Sequence, residues 1–343
     1  MIISRTPFRM SFFGGGTDYP AWFSENEGCF LSATIDKYCY ITCRKFPPFF
    51  SYSNRIVWSK IETVDNVEEI THPVIRESLK KYQLKGLEIH HKGDLPSRAG
   101  LGSSSSFTVG LVNTLINLQQ KKISKNELAN EAINIEQKIL KENVGIQDQI
   151  AVAHGGINYT NINKDGTYKI TSLKLNSGRL KDLEDRFVLV YSGISRFASE
   201  VAEEQIKSVK MNYSALKFIQ ESVIEAKNIL SKDRNFDELG VLFHETWEMK
   251  KSLSSKISTP LIDNIYERAI KSGATGGKLL GAGGGGFVLL YVPEGYRQKV
   301  LDELKEFLVV PFKFEFEGSQ IILNESDNFS KRSLSGEKFL IDM

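Results

Sequence analysis

The most constraining feature of this sequence is a loop rich in Pro, Gly and Ser that runs directly into a helix. The segment from Leu95 to Gln120 reads LPSRAGLGSSSSFTVGLVNTLINLQQ. Apolar residues recur at helical spacing after the serines, and Ser103 or Ser104 is placed to cap the helix. Glycines let backbone N–H groups approach a ligand, and the start of a helix adds unpaired N–H donors and a positive dipole end. The segment therefore predicts a phosphate cradle, although an ordinary Ser-capped helix after a flexible loop has the same pattern.

Three familiar nucleotide-binding signatures do not fit the chain. The run Gly281-x-Gly283-x-x-Gly286 matches a dinucleotide fingerprint, but it precedes a strand instead of opening a helix. A Walker-like run ends at Lys278 with one residue too few, and Leu279 stands where a metal-binding Ser or Thr is required. The His-Arg-Asp and Asp-Phe-Gly motifs of protein kinases are absent. A phosphate cradle in this chain therefore belongs to another class of protein.

Length and composition are typical of a globular protein without a large charged surface. The 343 residues suffice for two domains, and 44 Lys and Arg against 42 Asp and Glu leave a net charge of +2. This balance argues against nucleic acid as a partner, and no run approaches the ~20 apolar residues of a membrane span. The three cysteines form no Cys-x-x-Cys pair, which favours a reduced, cytoplasmic setting. The oligomeric state stays open, with a homo-oligomer as one option.

The order of predicted elements indicates an α+β fold with two domains. Strand-like and helical runs alternate in the first half of the chain, which contains the phosphate cradle. Helical periodicity then dominates over 199–230, 236–253 and 260–272, before a glycine-rich connection and a buried strand. We therefore expect an N-terminal domain over residues 1–185 and a C-terminal domain over residues 186–343.

A second glycine-rich loop, near the N-terminus, combines backbone freedom with a carboxylate. Gly14, Gly15 and Gly16 precede Asp18 and follow a strand-like run that carries Arg9. Gly and Asp are also common in plain turns. The nearby arginine and preceding strand make a ligand loop at least as plausible as a turn.

Two carboxylates follow the phosphate cradle in sequence. Ser124 opens a capping-box pattern, and we expect one helix from there to about Lys141 that carries Glu136 beside its apolar face. Asp148 begins or caps a short apolar helix. A surface carboxylate and a helix N-cap are the ordinary alternatives for these two residues.

Taken together and in order, these motifs resemble the GHMP kinase superfamily, which includes galactokinase, homoserine kinase, mevalonate kinase and phosphomevalonate kinase. The likeness covers nearly the whole chain, and its most specific part is the loop from Pro96 to Ser104. Members have Ser-Ser-Ala-Ala or similar after Gly-Leu-Gly, where this chain has four serines. The resemblance implies an N-terminal domain like the second domain of ribosomal protein S5 and a ferredoxin-like C-terminal domain. It also implies an active site in the cleft between them.

Roles for individual residues follow from the same resemblance. Asp148 would be the general base with Arg9 beside it, and Ser104 and Glu136 would hold Mg²⁺, since hard oxygen ligands suit a hard cation. The loop residues implied to bind ATP are Pro96, Arg98, Ala99, Gly100, Leu101, Gly102, Ser103, Ser104 and Ser105. The residues implied to bind the sugar are Gly15, Gly16, Asp18, Arg196, Gly283 and Gly284. This division suits phosphoryl transfer, which depends on positioning, charge neutralisation and a proton acceptor.

The identity of the substrate is also implied by the resemblance. The runs GGGTDYPAWF and TIDKYCYITCR look like those of D-glycero-D-manno-heptose 7-phosphate kinases, which phosphorylate the anomeric hydroxyl to give the 1,7-bisphosphate. That product lies on the route to nucleotide-activated heptose for surface polysaccharide. The candidates to bind the distal phosphate are Lys37, Arg98, Arg196 and Lys278. Two alternatives stay open: a fucose, galactose or N-acetylhexosamine 1-kinase of the same superfamily, and a non-catalytic homologue that senses sugar or ATP.

Overall fold

The computed structural model describes residues 1–47, 49–195, 204, 209, 211–232 and 234–325. Within them the chain forms two β-sheets flanked by helices, which agrees with the predicted α+β class. No helix of these residues is both long and apolar enough to cross a lipid bilayer.

The first sheet is organised around one long strand, β2 (Gly28–Lys45). On one side, β1 (Ile2–Phe13) pairs antiparallel with most of its length. On the other side, β5 (Leu87–Gly93) and β6 (Ile157–Ile162) pair with its two halves. Three shorter strands extend the sheet beyond β5 and β6: β3 (Asn54–Val57), β4 (Ile61–Val64) and β7 (Tyr168–Ser172).

Helix α3 (Ser103–Leu118) packs against β1 and β2 and fills the centre of the first half. Every residue from Ser105 to Ile116 is buried, so this helix has no solvent face. Such all-round burial fixes the helix start in place. The other helices of this half are α1 (Pro20–Asn26), α2 (Pro73–Tyr82), α4 (Lys125–Ile133), α5 (Gln147–His154) and α6 (Ser177–Asp185).

The second sheet is antiparallel, with strand order β11-β8-β10-β9. Its strands are β8 (Phe187–Tyr191), β9 (Gly276–Leu279), β10 (Phe287–Tyr291) and β11 (Leu308–Val309). The helices of this half are α7 (Tyr213–Ser231), α8 (Asp237–Lys251), α9 (Pro260–Lys271) and α10 (Arg297–Glu303). Most of the helical run expected between 199 and 212 lies outside the described residues.

The end of the described chain returns to the first sheet. Strand β12 (Phe314–Glu315) pairs with β2, and β13 (Gln320–Asn324) pairs with β1. The described chain thus leaves the second sheet after β11 and ends in the first sheet. Aromatic rings also join the halves, because Phe12 of β1 stacks on Phe187 of β8 with ring centroids 5.2 Å apart.

Candidate active site

The predicted phosphate loop forms one wall of a cleft between the two halves. Gly100 and Gly102 have φ of +84° and +72°, a region that favours glycine, and Arg98 shares it at +60°. Helix α3 begins directly afterwards, with Gly102 as its N-cap and no side-chain capping bond. The prediction that Ser103 or Ser104 caps the helix was therefore wrong: the Ser103 hydroxyl instead accepts the Arg98 N–H at 3.1 Å. The backbone N–H groups of the first turn have no helical acceptor and are open to a ligand.

The late glycine loop, residues 281–286, packs backbone to backbone against the phosphate loop. A Cβ atom on Gly100 would lie 2.2 Å from the Leu280 carbonyl oxygen, and one on Gly281 would lie 2.6 Å from the Gly100 Cα. The Phe287 N–H donates to the Ala99 carbonyl at 3.1 Å and fixes the register of this contact. The glycines allow the two halves to meet at the phosphate loop.

Arg9 and Asp148 form a bidentate ion pair at the centre of the cleft. The Nε and Nη2 atoms of Arg9 donate to the two Asp148 carboxylate oxygens, each at 2.7 Å, and Nη1 donates to the Gly100 carbonyl at 2.5 Å. Arg9 is buried, whereas 28% of the Asp148 side chain is exposed to the cleft. Asp148 lies in the first turn of α5, whose N-cap is Ile146. It therefore does not cap the helix, and its carboxylate is held by Arg9.

Asp18 is a buried carboxylate at another wall of the cleft. Its oxygens accept the N–H groups of Gly16 at 3.1 Å and Gln147 at 3.3 Å. Burial, with a contribution from the Asp148 charge, raises the pKa of Asp18 to about 6. Gly145 leaves room for this carboxylate, because a Cβ there would lie only 1.8 Å from the Asp18 Oδ2.

Glu136 lies behind the start of α3 on a wide turn of the chain. The single helix expected up to Lys141 ends at Ile133, and a π-helical turn (Asn134–Ile139) carries Glu136 inward. Its Oε2 accepts bonds from the Ser105 hydroxyl at 3.1 Å and from the Gln149 amide. Burial raises the pKa of Glu136 to about 7.

These residues meet the chemical requirements of a Mg²⁺ site in part. The Glu136 Oε1 is buried and forms no hydrogen bond of good geometry with another described residue, although the Thr108 hydroxyl lies near this carboxylate. Carboxylate and hydroxyl oxygens are hard ligands that suit this cation. The hydroxyl in contact with Glu136 belongs to Ser105, whereas Ser104, the serine implied by the resemblance, is exposed and lines the cleft. Among the described residues there is no group of three or more His, Cys, Asp or Glu that could hold a metal ion.

Two buried lysines from the C-terminal half approach the same region. Lys250 of α8 lines the cleft, and its ammonium donates to the Gly281 carbonyl at 2.6 Å. Lys278 of β9 donates to the Phe12 carbonyl at 2.9 Å, behind the cleft wall. Burial lowers the pKa of both, to about 8 for Lys250. Lys250 was not predicted as a site residue, because one lysine in an amphipathic helix carries no signal of burial.

The cleft has a volume of about 560 Å³ and brings together most of the predicted site residues. The predicted residues that line it are Arg9, Gly15, Gly16, Asp18, Arg98, Gly100, Gly102, Ser103, Ser104, Ser105, Asp148 and Gly283. The lining is completed by residues that the sequence analysis gave no role in the site: Ser11, Tyr19, Lys141 to Gly145, Gln147, Gln149, Lys250, Gly281 and Ala282. This volume lies within the usual range of small-molecule binding clefts.

The other predicted residues lie around the cleft without lining it. Ala99 and Leu101 are buried, and the Leu101 carbonyl accepts the Arg9 N–H at 3.0 Å, so they anchor the loop. Pro96 is exposed at its beginning. Gly284 donates its N–H to the Ile257 carbonyl at 2.9 Å and supports the late glycine loop.

Lys37 and Arg196 are the two remaining candidates to bind the distal phosphate of the substrate. Lys37 forms an ion pair with its neighbour Asp36 at 2.8 Å and does not line the cleft. Arg196 lies outside the described residues.

Two models of a known protein family match segments of this chain that contain the site. The model of the GHMP kinases N terminal domain matches residues 68–156, and the model of the GHMP kinases C terminal domain matches residues 224–310. A D-glycero-alpha-D-manno-heptose 7-phosphate kinase of Campylobacter jejuni is 27% identical over 92% of this chain and 97% of its own. A galactokinase of Pyrococcus furiosus is also 27% identical, over 95% of this chain and 98% of its own.

Solved structures show the same fold. A D-glycero-D-manno-heptose 1-phosphate kinase from Bacteroides thetaiotaomicron superposes with a TM-score of 0.79 at 24% identity, over 95% of this chain and all of its own. The two family models cover the phosphate loop, Glu136 and Asp148 in one half and Lys250 with the late glycine loop in the other. The chain therefore belongs to the GHMP kinase family and is a kinase of the two-domain α+β fold that its sequence predicted.

Proposed function

We propose that this protein is an ATP-dependent kinase that phosphorylates the anomeric hydroxyl of D-glycero-D-manno-heptose 7-phosphate to the 1,7-bisphosphate. The observation that carries the proposal is the Arg9–Asp148 ion pair, which is fixed to the phosphate loop through Gly100. It joins a proton acceptor to a phosphate-binding wall in one cleft, which is the arrangement that phosphoryl transfer to a hydroxyl requires.

The choice of a heptose phosphate rests on likeness to relatives. The Campylobacter jejuni relative, matched over nearly its full length, is named as a heptose 7-phosphate kinase. The Bacteroides thetaiotaomicron structure is named as a heptose 1-phosphate kinase, so the two names agree on the sugar and differ in the phosphate position. We assign the product to the synthesis of nucleotide-activated heptose for surface polysaccharide, and the protein to the cytoplasm.

ATP would lie along the phosphate loop and the first turn of α3. The free N–H groups of Ser103 to Ser105 and the positive end of the helix dipole would bind phosphate oxygens. Glu136 with the Ser104 and Ser105 hydroxyls would hold Mg²⁺, which when bound neutralises charge on the phosphates. The loop backbone is held by the Arg9, Ala99 and Leu101 contacts, so its N–H groups are positioned before ATP arrives.

Asp148 would accept the proton of the sugar hydroxyl. Each of its oxygens takes one N–H from Arg9, and each carboxylate oxygen has a further lone pair for the sugar. Asp18, with Gly15 and Gly16, would bind other sugar hydroxyls in the same cleft. The Arg9 guanidinium would orient the Asp148 carboxylate. Its positive charge would also stabilise the negative charge of the phosphoryl group during transfer from ATP to the sugar.

An ADP-release screen tests this proposal. The substrates are D-glycero-D-manno-heptose 7-phosphate, the free heptose, fucose, galactose and N-acetylhexosamines, each with ATP and Mg²⁺. We expect the highest kcat/KM with heptose 7-phosphate, and phosphorus NMR of the product should show a second phosphate at the anomeric carbon. A preference for an unphosphorylated sugar would overturn the substrate, and ATP consumption independent of any sugar would point to the sensing alternative.

A further inference from the structure

Lys250 is a buried cation of the cleft that forms no ion pair within the described part of the chain. Its side chain is 6% exposed, and it reaches the cleft from α8 of the C-terminal half. The acceptors that the described chain offers its ammonium are backbone carbonyls, those of Gly281 at 2.6 Å and Leu279 at 3.5 Å. An ammonium has three N–H donors, so capacity remains for a ligand in the cleft.

The charges around Lys250 favour an incoming anion. Burial and then the Arg9 charge lower the pKa of Lys250 to about 8, while Asp18 acts in the opposite direction. Lys278 adds a further buried amine nearby. Arg9 is already paired with Asp148, whereas Lys250 forms no ion pair with another described residue of the cleft. Because a buried charge without a counter-charge is costly, an anionic ligand here would stabilise the site.

We propose that Lys250 binds the phosphate that the sugar substrate already carries, and that this contact selects phosphorylated over unphosphorylated sugars. The inference rests on the proposed function. Lys250 lines the same cleft as Gly15, Gly16 and Asp18, the residues that we assign to the sugar. The γ-phosphate of ATP has the same chemistry, so the test must separate the two phosphates.

The exposed cations of the cleft are weaker candidates for this role. Arg98 and Lys141 also line it, but both are exposed. Water and salt screen an exposed charge, which reduces its contribution to discrimination between substrates. A buried ammonium that already donates to a backbone carbonyl has a fixed position, so it can distinguish a phosphate from a hydroxyl.

The experiment compares Lys250→Met with Lys250→Gln. Both variants remove the charge, but Gln retains an N–H donor for the Gly281 carbonyl. The matched control is Lys251→Met on the next position of α8, where Lys251 pairs with Glu248 at 2.7 Å. Values of kcat and KM are measured for heptose 7-phosphate, free heptose and ATP, and the melting temperature of each variant is recorded. Where free heptose is a poor substrate, its inhibition constant against heptose 7-phosphate replaces KM.

In both Lys250 variants, KM for heptose 7-phosphate should rise about 10- to 100-fold, as expected for loss of a charge-assisted hydrogen bond. In these variants, KM for ATP and KM or the inhibition constant for free heptose should stay at wild-type values. In Lys251→Met, kcat and every KM should equal those of the wild type. Rescue by Gln, an equal loss with both sugars, or a rise in KM for ATP would overturn the inference. Failure of the wild-type protein to prefer heptose 7-phosphate would instead overturn the proposed function, so the two failures are distinguishable.

Discussion

The guanidinium of Arg9 holds both carboxylate oxygens of Asp148 at 2.7 Å while its third nitrogen holds the Gly100 carbonyl at 2.5 Å. One side chain from β1 therefore connects the proposed base on α5 to the proposed phosphate loop before α3. The relative positions of Asp148 and the phosphate loop depend on Arg9, because α3 and α5 both pack against β1.

Arg9→Lys tests this dependence on geometry. A lysine keeps the charge but cannot bond two carboxylate oxygens and a carbonyl in one plane. We expect kcat to fall about 100-fold, because small displacements of a reacting group have effects of this size. Arg5→Lys is the control on the same strand, where Arg5 donates to Gln320 at 3.0 Å. Near-wild-type kcat in Arg9→Lys would mean that the bidentate contact is dispensable.

Gly100→Ala tests the contact between the two glycine loops. The added Cβ would lie 2.2 Å from the Leu280 carbonyl oxygen at a φ of +84°. We expect a loss of about 2–4 kcal/mol in the free energy of unfolding and weaker ATP binding. Gly295→Ala is matched in backbone strain, with φ of +85°, but has no atom within 4 Å, so about 1 kcal/mol is expected there. Chemical denaturation of both variants measures the difference, and equal losses would contradict the packing argument.

The sequence predicted those parts of the fold and site that depend on local pattern. The start of α9 at Pro260 was predicted correctly, because an N-terminal proline determines it locally. A helix directly after the phosphate loop was also predicted, but it begins at Ser103 with Gly102 as its N-cap, so the predicted Ser103 or Ser104 cap was wrong. Ser103 instead accepts the Arg98 N–H, an outcome set by the left-handed turn before it.

Features that depend on distant contacts were not accessible from the sequence. The burial of Lys250 requires the late glycine loop to pack over α8, and the inward position of Glu136 requires a π-helical turn that periodicity does not indicate. The return of β13 to β1 joins residues more than 300 positions apart, which no local pattern indicates.

Asp18→Asn tests the buried carboxylate through its pH dependence. Burial and Asp148 raise the pKa of Asp18 from 3.8 to about 6, so the folded protein binds a proton in this range that the unfolded chain does not. The contribution of Asp18 to the free energy of unfolding is therefore greatest below pH 3.8 and declines as pH rises through 6.

Asparagine does not titrate, so the free energy of unfolding of Asp18→Asn relative to wild type should increase from pH 4 to pH 7, by up to about 3 kcal/mol. Urea denaturation at several pH values measures this change. Asp302→Asn removes the same charge from an exposed position of α10 and is the control. A relative stability that falls with pH would contradict the raised pKa.

Metal dependence separates the two candidate serines. We expect chelation of divalent cations to abolish activity and Mg²⁺ to restore it. Because Ser105 contacts Glu136 and Ser104 does not, Ser105→Ala should raise the Mg²⁺ concentration for half-maximal rate about 10- to 100-fold, as should Glu136→Gln, with a smaller change for Ser104→Ala. A larger change in the required Mg²⁺ concentration for Ser104→Ala than for Ser105→Ala would indicate that Ser104 is the metal ligand.

Single-turnover phosphoryl transfer by Asp148→Asn is the most direct test of the proposed catalytic site. Asparagine occupies the same space and still accepts one N–H from Arg9, so the phosphate loop should keep its position and bind ATP as in the wild type. The rate of sugar phosphate formation should fall by about 100- to 10,000-fold, which is the usual contribution of a general base. Transfer at the wild-type rate by a variant that binds ATP normally would contradict the assignment of Asp148 as the proton acceptor.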